Sequence, residues 1–248
     1  KEREILMSMA PHLIRPLRFV LPYMRGMRQK WLLRLGLFLY DHLGGRTRLP
    51  ASSWIDLRQN QAGHALKEIL TEGFEYSDCF VDDSRLTLAN ACAAADLGAE
   101  IHRDCPVLSL EKLSKGWKVK TSKGTVSTKI VINASGPFAD HVLSLRSGSQ
   151  IKKHIRLVRG SHLIVKRLFT HKKAYIFQNT DGRILFALPY LDDFTLLGTT
   201  DIDHQGKPDE PEISQNEIDY ILKELSQYLK KPISTAQILA TYSGIRPL

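Results

Sequence analysis

The sequence predicts an α/β chain, an α+β mixture in which strands and helices both carry the core. Three observations lead there. A wholly apolar run, Ile130-Val131-Ile132, enters the small-residue turn Ala134-Ser135-Gly136-Pro137 and continues into a helical stretch from Phe138 to Leu145. From Val107 onward most of the chain alternates in short runs separated by turn residues, the pattern of strands. The helical stretches carry their own end signals, such as Ser214 and Glu217 three residues apart before a periodic apolar stripe.

Composition bounds the reading without directing it. The 248 residues are 43% apolar and 25% charged, which excludes a disordered or fibrous chain and suffices for one large or two modest domains with real cores. Three scattered cysteines, Cys79, Cys92 and Cys105, form no CxxC and point to a reducing compartment. The most apolar stretch, Leu32 to Tyr40, is broken by Arg34 and is far shorter than the roughly 20 residues of a membrane span. The start, Lys1-Glu2-Arg3-Glu4, is mixed in charge and the apolar residues after it are broken by Pro11 and Arg15, so no signal peptide is expected. The missing initiator Met points to a trimmed chain. Of the net charge of +9, +7 lies in residues 1–60, and Ile5 to Tyr40 holds six basic residues and no acidic one. Such a block attracts phosphate, nucleic acid or anionic lipid, or is simply a solvated face.

In chain order, a short helix is expected before Pro11, then an extended basic segment punctuated by Pro16 and Pro22. Trp31 to Leu43 predicts a helix ended by Gly44-Gly45, and Gln61 to Glu72 a second. Leu86 to Leu97 is an alanine-rich helix with a small-residue stripe, stopped by Gly98 and followed by a strand near Ile101. Strands follow at Val107 to Leu110, Trp117 to Thr121, Thr125 to Ser127 and Lys129 to Asn133, the last expected to be buried on both faces. After a basic linker, Arg146 to Lys153, come strands at Ile155 to Val165, Ala174 to Gln178, Arg183 to Pro189 and Thr195 to Thr199. Thr180-Asp181-Gly182 signals a hairpin between the second and third of these. The Ser214 helix carries Ile218, Ile221, Leu222, Leu225 and Leu229 on one side, and a second capping box, Ser234 to Gln237, precedes a terminal strand from Ile238.

Several of these places can carry chemistry. The strand-to-helix turn at Ala134 to Pro137 offers backbone amides at a strand's carboxyl end, where anionic groups bind, although such turns also carry Gly for packing alone. Arg159 and His162 share a strand but point to opposite faces, and a lone strand histidine is more often structural. Asp201 follows a strand in Gly198-Thr199-Thr200-Asp201 and equally suits a turn cap. Arg246, beside the rigid Pro247, offers a guanidinium for carboxylate or phosphate. Asp78, Asp82 and Asp83 are dense enough for a metal but lack a His, and Asp82 and Asp83 suit a helix start, so no metal site is expected. The chain contains no GxGxxG, Walker loop, HExxH or GxSxG.

Taken together, the segments Pro11 to Phe19, Leu35 to Asp41 with Gly44, Phe74 to Cys79, Val81 to Leu86, Asn133 to Pro137, Arg159 to His162, Gly198 to Asp201 and Tyr242 to Leu248 resemble the FAD-dependent glycerol-3-phosphate dehydrogenases of the aerobic, quinone-linked type. The resemblance covers essentially the whole chain in family order. It implies part of an FAD-binding domain of the glutathione-reductase/D-amino-acid-oxidase type, interleaved with a cap domain built on an antiparallel sheet. On that reading residues 74–150 belong to the flavin domain, 1–73 form a helical cap segment, and 151–248 are the substrate and cap domain. The family's opening GxGxxG unit and its segments beyond the YSGxRPL motif are missing here, so the chain is expected to be the middle of a longer protein.

The resemblance also implies the chemistry: oxidation of sn-glycerol 3-phosphate at C2 to dihydroxyacetone phosphate, with electrons passed to membrane quinone. His162 is then the base and Arg246 the cation that stabilises the developing alkoxide. Ala134, Ser135, Gly136 and Pro137 form a flavin contact, and Val107 a backbone contact to the adenine. Arg159 and Asp201 receive no role. The implied location is cytoplasmic, peripheral on the inner membrane face, with a homodimer as the candidate assembly. The basic Ile5 to Tyr40 segment suits an anionic membrane surface and equally the attraction of a doubly charged phosphate substrate. Nucleic acid is not an expected partner, since Tyr23 and Trp31 are the only aromatic residues near Arg25 to Arg34 that suit a stacking platform. The rivals are a glycerol-3-phosphate oxidase that uses oxygen, and a non-catalytic basic piece that binds anionic membrane.

Overall fold

The computed structural model describes residues 2–24, 26, 28–43, 48–146, 154–179 and 181–248. The expected Gly44-Gly45 stop, Arg25, Thr180 of the hairpin turn and residues 147–153 of the linker lie outside them. In chain order the elements begin α1 (Glu2–Met9), β1 (Ile14–Pro22), α2 (Lys30–Leu43), β2 (Ser53–Asp56), β3 (Glu72–Val81), α3 (Asp83–Asp96), β4 (Val107–Leu113), β5 (Gly116–Thr121) and β6 (Gly124–Thr128). They continue α4 (Ala139–Ser144), β7 (Leu157–Lys166), β8 (Ala174–Gln178), β9 (Ile184–Tyr190), β10 (Phe194–Gly198), β11 (Ile202–Asp203), α5 (Gln215–Ser226) and β12 (Ile238–Pro247). The chain divides into two compact units: residues 1–89, 161–200 and 212–242, and residues 90–160, 201–211 and 243–248.

The first unit is built on a mixed sheet in the order β7-β10-β9-β8-β1-β3-β2. β1 and β8 run parallel where Phe19 meets Ala174 and Val20 meets Tyr175, and the other neighbours in that order are antiparallel. Two prolines inside β1 look wrong for an interior strand, because proline cannot donate to a ladder. The register removes the conflict. β3 flanks β1 along its whole length, but β8 touches it only at Phe19 and Val20, so Pro16 sits where β1 is still an edge. Val20, Leu163, Val165, Tyr175, Phe177, Leu185, Ala187 and Leu197 pack with Ile221, Leu225, Tyr228 and Leu229 of the α5 segment. The stripe expected on the Ser214 helix is therefore the buried one.

The helix expected over Gln61 to Glu72 is replaced by a single 3-10 turn at Gln61–Gly63, further turns, and the start of β3. Ala62, Leu66 and Leu70 do face the core at helical spacing. Between them the backbone bonds elsewhere: Lys67 N–H donates to the Tyr228 carbonyl (2.8 Å) and Lys230 N–H to that of Ala65 (2.9 Å). The Lys67 amide and the Ala65 carbonyl are thus taken by the end of α5, and the amides of Gly63, His64, Leu66 and Leu70 close only separate turns to the residue three back. Helix α2 forms as expected, but inverted. Its inward stripe mixes half-buried Leu33 and Leu37 with polar residues: Tyr40 donates to the Ser77 carbonyl (3.1 Å), and buried Asp41 accepts from the N–H (2.8 Å) and Oγ (2.7 Å) of Ser52. Trp31, Leu32, Leu35, Phe38, Leu39 and Leu43 are exposed.

In the second unit, β4, β5 and β6 form an antiparallel three-stranded sheet, and β11 pairs with the start of β7 at Val158 and Arg159. Two expected strands are not there. Residues near Ile101 form no strand, and neither does Ile130-Val131-Ile132, whose Ile130 and Ile132 are 73% and 84% exposed. A strand exists only through its neighbours, and among the described residues none pairs with 130–133. The helix expected from Phe138 begins instead as a 3-10 turn, Gly136–Phe138, leading into α4. Along α3 the small-residue stripe is present, but no residue of that helix is buried.

His171 exposes a pH dependence in the first unit. Its ring stacks on Phe169, its Nδ1 accepts from the Lys173 N–H (3.2 Å), and its Nε2 meets the Tyr175 hydroxyl (2.8 Å), which donates to the Ala62 carbonyl (2.5 Å). Burial, and then the charge of Lys173, push its pKa down to about 4. The unfolded chain then takes up a proton, as pH falls from about 6.5 toward 4, that the folded chain refuses, so stability drops over that window. Melting temperatures measured between pH 7 and 5 are expected to fall less steeply in His171→Gln than in the parent protein.

Candidate functional site

On β7 the side chains alternate. Ser161, Leu163 and Val165 are buried, while His162 lies half-exposed on the opposite face. β10 runs antiparallel beside it and places Gly198 directly across from His162. A side chain at 198 has no room, since a Cβ there would lie 2.7 Å from His162 Cδ2 and 2.8 Å from the Ser161 carbonyl oxygen, at a φ of +155°. Tyr242 of β12 stacks on the imidazole, ring centroids 4.7 Å apart and planes 10° from parallel. Burial raises the Tyr242 pKa, which keeps it a neutral phenol. The imidazole is thus held between a glycine backbone and an aromatic ring, on a strand rather than a loop.

Behind this strand lies a carboxylate. Glu217 is 1% exposed and both its oxygens are occupied. Oε2 accepts from the Ser214 N–H (2.8 Å) and Oγ (2.7 Å), the capping box legible in the sequence. Oε1 accepts from Ser161 Oγ (2.7 Å) and Thr200 Oγ1 (2.9 Å), and Thr200 Oγ1 in turn accepts from the Ser161 N–H (3.0 Å). Sequence reasoning missed this second half. Ser161 is 56 positions from Glu217, and no local pattern links them.

In the second unit, Arg246 pairs with Asp201 through its Nη2, with both side chains about half exposed. Asp201 is therefore the orienting partner of Arg246, a role the sequence left open. Arg156 similarly holds Asp203 (2.6 Å), and its backbone exchanges hydrogen bonds with Leu248. Val107 opens β4 opposite Thr121, half-buried, just before a register shift. The Ala134 to Pro137 turn is braced by its own neighbour: the N–H (3.3 Å) and Oγ (2.6 Å) of Ser135 donate to Asn133 Oδ1, and Asn133 Nδ2 donates to the Ala139 carbonyl (2.9 Å). Gly136 adopts φ +53°, and a Cβ built on it would meet no atom within 4 Å. The turn is thus rigid and its backbone openly approachable, which fits a flat or anionic group needing close contact. His162 belongs to the first unit; Arg246, Val107 and residues 134–137 belong to the second. Asp82 and Asp83 accept from the amides of Arg85 (3.1 Å) and Ser84 (2.8 Å), as expected of helix-start residues.

The crowding at Gly198 yields a direct check. Gly198→Ala forces a side chain into the His162 ring and the Ser161 carbonyl at a backbone conformation reserved for glycine. We expect a loss of about 2 kcal/mol or more of unfolding free energy in a denaturant titration.

Residues 1–248 match the family described as FAD dependent oxidoreductase. Across its whole length the chain is 42% identical to a D-erythritol 1-phosphate dehydrogenase of Brucella abortus and 40% identical to the aerobic glycerol-3-phosphate dehydrogenase of Escherichia coli, covering 50% of each. It therefore spans about half the length of the curated relatives it matches. The fold is similar to the glycerol-3-phosphate dehydrogenase of Bacillus halodurans complexed with FAD, with a TM-score of 0.78 and 26% identity over 100% of this chain and 47% of that one. It is also similar to the L-alpha-glycerophosphate oxidase of Mycoplasma pneumoniae with FAD bound, with a TM-score of 0.75 and 16% identity over 98% of this chain and 66% of that one, a likeness of fold alone. On the match over its full length, the chain belongs to the FAD-dependent oxidoreductases.

Proposed function

We propose that this chain carries the substrate-handling residues of an enzyme that oxidises sn-glycerol 3-phosphate at C2 to dihydroxyacetone phosphate. The observation that carries the reading is His162, an imidazole clamped between Gly198 and Tyr242, in a chain 40% identical to glycerol-3-phosphate dehydrogenases along its length. When bound, FAD supplies the two-electron acceptor. His162 takes the C2 hydroxyl proton as the hydrogen on C2 leaves with its electron pair. Arg246, oriented by Asp201, balances the negative charge that develops on the C2 oxygen. Val107 and Ala134 to Pro137 contribute backbone contacts to the cofactor. The exposed Leu97, Ile130 and Ile132 support this assignment, because they suit burial against further flavin-domain structure.

Electron transfer to a membrane quinone is the second element of the proposal, and α2 supports it. Its exposed Trp31, Leu32, Leu35, Phe38 and Leu39, with Lys30 and Arg34 on the same helix, have the composition of a helix lying in a lipid interface. No helix among the described residues is long and apolar enough to cross a membrane. The peripheral attachment proposed rests on α2 itself. We place the enzyme on the cytoplasmic face of the inner membrane. A second substrate reading, D-erythritol 1-phosphate, is favoured by the 42% identical Brucella relative and shares the same polyol-phosphate chemistry.

In the full-length, flavin-loaded protein, glycerol 3-phosphate added without oxygen is expected to bleach the flavin faster than D-erythritol 1-phosphate does. His162→Ala should slow bleaching by about 10²- to 10⁴-fold, and Arg246→Ala by about 10²- to 10³-fold. A His162→Ala enzyme within a few-fold of the parent rate, beside an inactive Arg246→Ala, would show that the base lies elsewhere. Reoxidation by a quinone analogue faster than by oxygen separates the dehydrogenase from the oxidase. Sedimentation with vesicles containing anionic lipid should weaken with added salt and with Phe38→Glu; binding indifferent to salt rules out the electrostatic contribution.

A further inference from the structure

We propose that Glu217 is a positioning residue for His162, acting through Ser161 and Thr200, in addition to capping α5. The inference rests on His162 being the proton acceptor. A buried carboxylate costs several kcal/mol unless its oxygens are well bonded, so its presence calls for a reason. Capping alone is not sufficient. The same chain caps its 3-10 turn at Thr235–Gln237 with Ser234 and a neutral, exposed Gln237, whose single oxygen accepts from both the N–H (2.9 Å) and the Oγ (3.2 Å) of Ser234. One acceptor oxygen therefore completes a box. Glu217 uses Oε2 in that way and commits Oε1 to Ser161 and Thr200.

Those two residues control where the imidazole sits. Ser161 is the residue before His162 on β7, with its side chain on the opposite face of the sheet. Thr200 lies two residues after Gly198, whose backbone is the floor under the ring. The bond from the Ser161 N–H to Thr200 Oγ1 ties the two backbones to each other, and Glu217 Oε1 fastens both hydroxyls to α5. Gly198 lies so close under the ring that even a Cβ there would collide with it, so a shift of either backbone alters the surface on which the imidazole rests. Proton transfer depends steeply on such placement, and an error of about 1 Å costs on the order of 10²-fold in rate.

The test uses the full-length protein with its flavin bound. It reads the rate of flavin bleaching by glycerol 3-phosphate per bound flavin, KM, and melting temperature. Glu217→Ala and Thr200→Val are expected to slow bleaching about tenfold or more, with KM within threefold of the parent. Glu217→Gln keeps an acceptor oxygen for Ser161 and Thr200 but turns its amide toward the Ser214 N–H. It should restore most of the rate lost in Glu217→Ala while melting at a lower temperature than the parent. The proposal is overturned if Thr200→Val and Glu217→Ala bleach within threefold of the parent rate, or if Glu217→Gln is as slow as Glu217→Ala. If Glu217→Ala loses its flavin, Thr200→Val, which exchanges one hydroxyl for a methyl, decides alone. His162→Ala measured alongside separates the two claims, since a parent-like rate there removes the base assignment whatever Glu217 does.

Discussion

The buried carboxylate of Glu217 is the point from which the first unit is organised. One oxygen closes the start of α5 and the other holds β7 and the turn after β10. Helix α5 is thereby docked at a fixed height over the sheet, where Ile221 and Leu225 join the core of Leu163, Val165, Tyr175 and Phe177. On the far side of the same strand, the alternation of β7 presents His162. A buried carboxylate of α5 and a half-exposed imidazole thus meet the two faces of one strand.

A second buried carboxylate repeats the device where β3, β1 and the start of β8 meet. Glu75 of β3 pairs with Arg18 of β1 (3.1 Å) and with Lys173, which immediately precedes β8, and Arg18 also donates to Ser77 Oγ (2.8 Å). Burial makes these bonds costly to lose, because a stranded charge keeps its full desolvation penalty. They reinforce a junction where β1 meets β8 over only two residue pairs. Helix α2 follows the same logic in reverse. Tyr40 and Asp41 find partners inside, beside half-buried Leu33 and Leu37, which leaves Trp31, Leu32, Leu35, Phe38 and Leu39 on the exposed side.

Much of the local structure was legible in the sequence. The capping boxes at Ser214 and Ser234, the acidic start of α3 and the strands between Val107 and Gly198 follow from periodicity and end signals within a few residues. Gln61 to Glu72 reads as a helix because Ala62, Leu66 and Leu70 have helical spacing, while the backbones of Ala65 and Lys67 between them bond to Lys230 and Tyr228, far along the chain. Ile130 to Ile132 was misread because an apolar run specifies a buried strand only when neighbours flank it. Of the candidate residues, His162 and Arg246 are singled out by the motifs in which they stand. Gly198, Tyr242, Asp201 and Glu217 were recognised as partners only in the folded chain.

By itself, then, the sequence determined the α/β class, the helix caps, the turn at Ala134 to Pro137 and the family to which these motifs belong. Each of these rests on bonds closed within a few residues or on motifs readable in order. The tertiary structure alone decided which face of α2 is covered, where Pro16 is tolerated, which carboxylate faces Arg246 and what fixes the imidazole of His162. Those outcomes depend on contacts between residues tens of positions apart, and a one-dimensional pattern carries no distance between such residues.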